Sequence, residues 1–240
     1  LSGNSVYDNS ISTNGTSANY GLRLDDSASN NTITNNTIRT QGSLNSNIGI
    51  TITNTASGNL VQGNSITTNG TGISNYGMLI SSSSNNNTVT NNTIQTQGSS
   101  GNYGILLLTT VSGNLVQGNS ISTNGTSDNH GIGLQSSANN NTVTNNTIWT
   151  QGSSGSNVGI YLVTTVSGNL VHGNSISTNG TNNNFGIQLQ SLASNNTIAN
   201  NTIRTGGSSS NIGIYLFTTV SGNLVQGNSI STNGASTNYG

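Results

Sequence analysis

Side chains able to do acid–base or metal chemistry are scarce in this chain: three Arg, four Asp and two His among 240 residues, with no Lys, Glu or Cys. Their one cluster is Arg23, Asp25 and Asp26. Neighbouring carboxylates beside a guanidinium are the residue types of a cation site or of a proton-transfer pair. Calcium, however, takes about six to eight oxygens with several carboxylates among them, and no further acid accompanies this cluster, which predicts a solvated surface. His130 and His172 lie 42 residues apart, with Met78 the one Met and no thiol in the chain. That set makes no zinc or soft-metal site, so neither a metal nor another cofactor is expected.

Composition narrows the classes further. A net charge of −1 leaves no electrostatic footprint for nucleic acid or an anionic membrane. No apolar run approaches the roughly 18 residues of a membrane helix, so no membrane insertion is expected. With charged residues at 3%, far below the roughly one quarter of ordinary domains, general acid–base catalysis has few groups to use. The expectation at this level is that the chain is not an enzyme.

The elements that must position these residues come from repetition. An Asn/Ser/Gly-rich composition taken alone reads as disorder, but the order of the residues contradicts it. The string SGNLVQGNSISTNG begins at Ser112, with close relatives at Ser57, Ser167 and Ser221. Between them runs a second string, NNNTVTNNTIxTQG, at Asn85 and Asn139. Superposed, the two define a unit of 27–28 residues in two alternating flavours, hence a double repeat of 55. One column reads Asn9, Asn36, Asn64, Asn92, Asn119, Asn146, Asn174, Asn201, Asn228. Two more Asn columns start at Asn4 and Asn19, a Gly column at Gly15 and a Thr column at Thr13.

Within each unit the apolar residues form three bursts. The first centres on Val6 and its equivalents, an Ile follows five residues later, and the third alternates with period two, as in Tyr103, Ile105 and Leu107. Such alternation, punctuated by Gly and Asn, predicts strands. Three strands per unit, repeated in register, predict an all-β fold: a right-handed parallel β-helix, or β-solenoid, of about nine coils. Stacking places like residues about 4.8 Å apart, with inward Val, Ile and Leu ladders and Asn ladders at the turns. Residues 1–240 read as one continuous solenoid, expected to be a segment of a longer array because neither end shows a polar cap.

The NxVxxNxI…NxGIxL pattern resembles the parallel β-helix repeats of the pectate-lyase-like superfamily, especially the NosD-type repeats of surface and periplasmic proteins. In enzymes of that superfamily, acids on neighbouring coils bind calcium while an Arg or Lys abstracts a proton. Here the equivalents of Asp25 are Thr53, Ser81, Leu108, Gln135, Val163, Gln190 and Phe217, so no catalytic residue carries over.

Several positions remain as candidate surfaces. Leu79, Leu106, Tyr161, Tyr215 and Phe217 form an apolar stripe on the third strands, and Trp149 projects from a slot otherwise held by Ser, Thr, Gln or Arg. Together they are a candidate partner surface, because apolar patches on a nearly uncharged chain favour association. Asn14, Asn35, Asn69, Asn91, Asn124, Asn145, Asn179 and Asn200 head Asn-x-Thr sequons and are candidate glycosylation sites. His130 falls in a column of Tyr, Phe, Ile and Val and reads as a packed ring, while His172 replaces outward Gln. The Thr13 to Thr232 rank resembles the arrays of ice-binding solenoids. The main expectation is an extracellular structural segment of a filament, sheath or stalk, with copies of itself as partners and glycans as further ones. The alternatives are a carbohydrate-binding or carbohydrate-cleaving β-helix and, third, ice binding.

Overall fold

The computed structural model describes residues Leu1–Gly240. The chain has 25 strands and no helix, and it winds into nine coils. Each full coil contributes three strands. The first, three residues long as in Ser5–Tyr7, stack into a nine-stranded sheet. The second, as in Ser10–Gly15, and the third, as in Tyr20–Leu24, build the other walls. In Thr93–Leu108 and Ser120–Gln135 the second and third strands run together. Pairing is parallel between successive coils, with like residues opposite like: Val89 faces Val116, and Ile94 faces Ile121.

Inward Val, Ile, Leu and Ala columns close into one core of 33 buried residues. All three Asn columns form hydrogen-bonded ladders. In the second, the Asn119 side chain donates to Asn146 Oδ1 at 2.9 Å and to the carbonyls of Val89 and Gln117 at 3.0 and 3.1 Å. Its own Oδ1 accepts from the backbone N–H and the amide of Asn92, both at 3.0 Å. Buried turns therefore leave few polar main-chain groups unmatched, which is what a solvent-free corner requires.

The 55-residue double repeat has a steric cause. The corner before the first strand needs positive φ in every coil, and Gly and Asn alternate there: Asn30 (φ 54), Gly58 (φ 65), Asn86 (φ 56), Gly113 (φ 65). Each Asn folds its side chain onto the next coil, so that a Cβ at Gly58 would stand 2.7 Å from Asn30 Oδ1. A side chain cannot occupy that space, hence the two flavours.

The Thr column corrects the ice-binding expectation. Thr40, Thr68, Thr96, Thr123, Thr150, Thr178 and Thr205 are all at most 2% exposed. Their hydroxyls face the interior without a hydrogen-bond partner, so the rank presents no surface to water or ice.

Candidate functional site

The third strands carry the only concentration of aromatic rings, and a break in strand parity puts them outside. After ladder Asn102 comes Tyr103, then Gly104, whose Cβ would overlap Ile121 Cγ2 in the core. Ile105 and Leu107 are also fully buried. Two successive inward positions, Gly104 and Ile105, therefore push Tyr103 to the outer face. This corrects the period-two reading, which aligned Tyr103 with Ile105 and Leu107. The same Asn-x-Gly signal recurs at Tyr76, His130, Phe185 and Tyr239.

The rings meet across coils. Tyr76 lies edge-on to Tyr103 at a centroid separation of 5.7 Å, Tyr103 is 4.7 Å from His130, and His130 is 5.2 Å from Tyr161. Farther along the axis, Phe185 stacks on Tyr215 at 5.2 Å and Tyr215 on Phe217 at 5.3 Å. Gly133 shapes the middle of this band. It pairs with Leu106 on one side and Tyr161 on the other, and a Cβ there would stand 2.6 Å from Tyr103 Cε1 and 2.9 Å from Leu106 Cδ1. Tyr103 and Leu106 thus converge over the glycine. Leu106, expected on the exposed stripe, is only 2% exposed as a result.

The polar atoms of the band are held from below. Gln135 Nε2 donates to the Tyr103 hydroxyl at 2.6 Å, and Gln190 Nε2 donates to that of Tyr161. Each phenol accepts from an amide and keeps its own O–H as a donor. Burial raises the phenol pKa of both tyrosines, with Gln135 opposing it at Tyr103 and the Asp128 charge reinforcing it at Tyr161. Burial also lowers His130 to about 4 against a weaker opposing pull from Asp128, so its imidazole is neutral at pH 7. Asp128 lies at a left-handed bend (φ 49) within Ser120–Gln135, two residues before His130. Burial raises its pKa, but the Ser156 N–H and the Ser127 and Ser100 hydroxyls outweigh burial and hold it below the usual carboxylate value. No three His, Cys, Asp or Glu side chains come together as a metal site.

The remaining candidates are dispersed. Leu79, Tyr161, Tyr215 and Phe217 share the third-strand face with the rings, whereas Trp149 lies on the second-strand face. Arg23 pairs with Asp25 and stands 5.7 Å from the Tyr20 ring centroid. Asp25 also accepts from Asn54 at 2.7 Å, while Asp26 takes no part in the ion pair. His172 Nε2 contacts the Asn200 amide at 3.1 Å. The eight sequon asparagines are exposed: Asn14, Asn69, Asn124 and Asn179 on the second strands, Asn35, Asn91, Asn145 and Asn200 in the corner before them. Sequence reading left Tyr76 and Tyr103 out of this row of rings, whereas His130, read as a packed ring, is buried in it. The Gly that follows each was the signal that the alternation shifts.

Residues 1–94 and 97–240 match the family described as the right-handed beta helix region. No curated protein matches the chain by sequence. Among solved structures, the periplasmic alginate epimerase AlgG is similar at 17% identity with a TM-score of 0.64, over 86% of this chain and 47% of that one. The Dettilon tailspike protein gp208 is similar at 15% identity with a TM-score of 0.58, over 95% of this chain and 54% of that one. At these identities the likeness is one of fold, and the chain spans about half the length of the structures it matches. These findings overturn two expectations, the structural filament and the absence of enzyme function. The matched fold is that of a named epimerase, and a row of aromatic rings runs along the outer side of the third strands, with Tyr103 and His130 packed beneath their neighbours.

Proposed function

The chain belongs to the right-handed β-helix family, and on that premise we propose that it binds a polysaccharide along the helix axis, over the third-strand face. The observation that carries this reading is the row of accessible rings Tyr76, Tyr161, Tyr215 and Phe217, backed by Tyr103, His130 and Phe185, which lie packed beneath their neighbours. Aromatic rings offer apolar faces to the C–H faces of pyranoses, while the phenol O–H groups give direction. The coil rise of about 4.8 Å is close to one extended hexopyranose unit, so accessible rings two or three coils apart, as Tyr161 is from Tyr215 and from Tyr76, meet every second or third sugar. A setting outside the cytoplasm accompanies this reading, supported by the periplasmic origin in the epimerase's name.

The test is calorimetric titration of the intact chain with alginate and glucan oligosaccharides. Binding to one of them is expected, weakened about tenfold, some 1.4 kcal/mol, by Tyr161→Ala. Absence of binding across the panel, or a Tyr161→Ala chain that binds unchanged, rejects the reading.

A further inference from the structure

The second-strand face carries an arrangement that the aromatic band does not involve. Its central outward column reads Ser12, Arg39, Thr67, Gln95, Ser122, Trp149, Ser177, Arg204 and Ser231. Two of the three Arg and the only Trp of the chain therefore stand in one register line. None of the four Asp occupies the second-strand stretch of any coil. Arg39 and Arg204 are exposed, form no ion pair and make no hydrogen bond to the protein. Trp149 is 46% exposed. Their donors and the indole face are unspent.

The surface around Arg204 is also recessed. The flanking outward column is Asn or Gln in every coil except one: Asn124, Gln151, Asn179, then Gly206, then Asn233. A Cβ at Gly206 would meet nothing nearer than the Asn233 carbonyl at 3.2 Å. The missing side chain opens a depression of ≈ 590 Å³ beside Arg204, walled by Ser177, Asn179, Thr202 and Ser231. Trp149 stands two coils away on the same line, about 9.6 Å along the axis.

We infer that this face is a second glycan site, for an acidic polysaccharide, in which a sugar ring stacks on Trp149 and a uronate carboxylate two units along enters the depression to pair with Arg204. The guanidinium fork fits a carboxylate by two parallel N–H···O bonds. Ser and Thr hydroxyls and the Asn and Gln amides on either side suit sugar hydroxyls. A nucleic acid would need many phosphate contacts, and this face has two cations six coils apart.

The single Trp makes the test site-specific, because emission excited beyond the tyrosine absorption band reports Trp149 alone. The chain is titrated with sodium oligogalacturonate, with a neutral malto-oligosaccharide and with an oligothymidylate. A saturable emission change with oligogalacturonate is expected, abolished near 1 M salt, where the Debye length falls to about 3 Å. Arg204→Gln should weaken it about tenfold, while Tyr161→Ala leaves it unchanged. Gln already fills this column at Gln95 and Ser at Ser122 and Ser177, so Arg204→Gln and Trp149→Ser keep residues that the coil accepts. Trp149→Ser, followed by calorimetry, should lose the same binding. No emission change, an equal response to the neutral sugar, a response to oligothymidylate alone, or unaltered binding by Arg204→Gln would each overturn the inference.

Discussion

Burial lowers the pKa of His130 against an opposing pull from Asp128, and that shift has a thermodynamic consequence. Its pKa is about 4 folded and 6.5 in the unfolded reference. Between those values the unfolded chain binds more protons, so acidification favours unfolding. Stability is therefore full above about pH 6.5 and falls as pH drops toward about 4, by on the order of 3 kcal/mol in all. Asp128, whose pKa is lowered, adds its own loss as pH falls through the ordinary carboxylate value of 3.8, at the acid edge of this window. His130→Val, matching Val158 in the next coil, should flatten the profile between pH 4 and 6.5. Urea unfolding across that range is the measurement, and equal pH slopes for variant and parent would refute the account.

At the scale of elements, the Asn ladders act as the corner posts of the coils. Removing one central rung disconnects several groups at once. In Asn119→Ala the N–H and amide of Asn92 lose their acceptor, and the Val89 and Gln117 carbonyls lose a donor. Each buried polar group left unmatched costs roughly 1–3 kcal/mol, so the variant should lose about 3 kcal/mol or more. Asn9→Ala, in the exposed first coil, should lose clearly less, because water can reach the groups it releases. Denaturant titration of both variants decides this, and equal losses would mean that burial is not what makes the ladder matter. The parallel arrangement of third strands likewise explains why rings of successive coils meet, as Tyr76, Tyr103 and His130 do: every coil repeats the same shift of parity at its Gly.

For the whole molecule, each coil touches only the coils above and below it, so stability is close to a sum of neighbour interfaces. Central coils are sealed on both sides, with Val116 and Val143 at 0% exposure, whereas Leu224 and Val225 in the last coil are 49% and 41% exposed. Hydrogen exchange on the 240-residue chain should therefore show amide protection highest in the central coils and decreasing toward both ends. A uniform profile would show instead that all nine coils open as one unit.

The coil number, the parallel stacking and the Asn ladders were legible in the residues themselves, because identical columns at a fixed 27–28-residue period have no other compact solution. The alternation of flavours was legible as well, although its cause, Asn30 covering Gly58, needed the stacked corners. The faces were not legible. Period two gives a strand's parity only while the strand stays regular, and Gly104 and Ile105 both turn inward, which moved Tyr103 from the inner core to the outer side of the sheet, where its neighbours still cover it. The Thr13 column shows the opposite outcome: its residue type suggested a surface, and its place in the strand put it inside. Proximity across coils was equally hidden. Tyr103, His130 and Tyr161 are each 27 or more residues apart in the chain, and Trp149 and Arg204 are 55 apart. Only the register of the coils brings each set onto one face, because a solenoid converts distance along the sequence into a few ångströms along its axis.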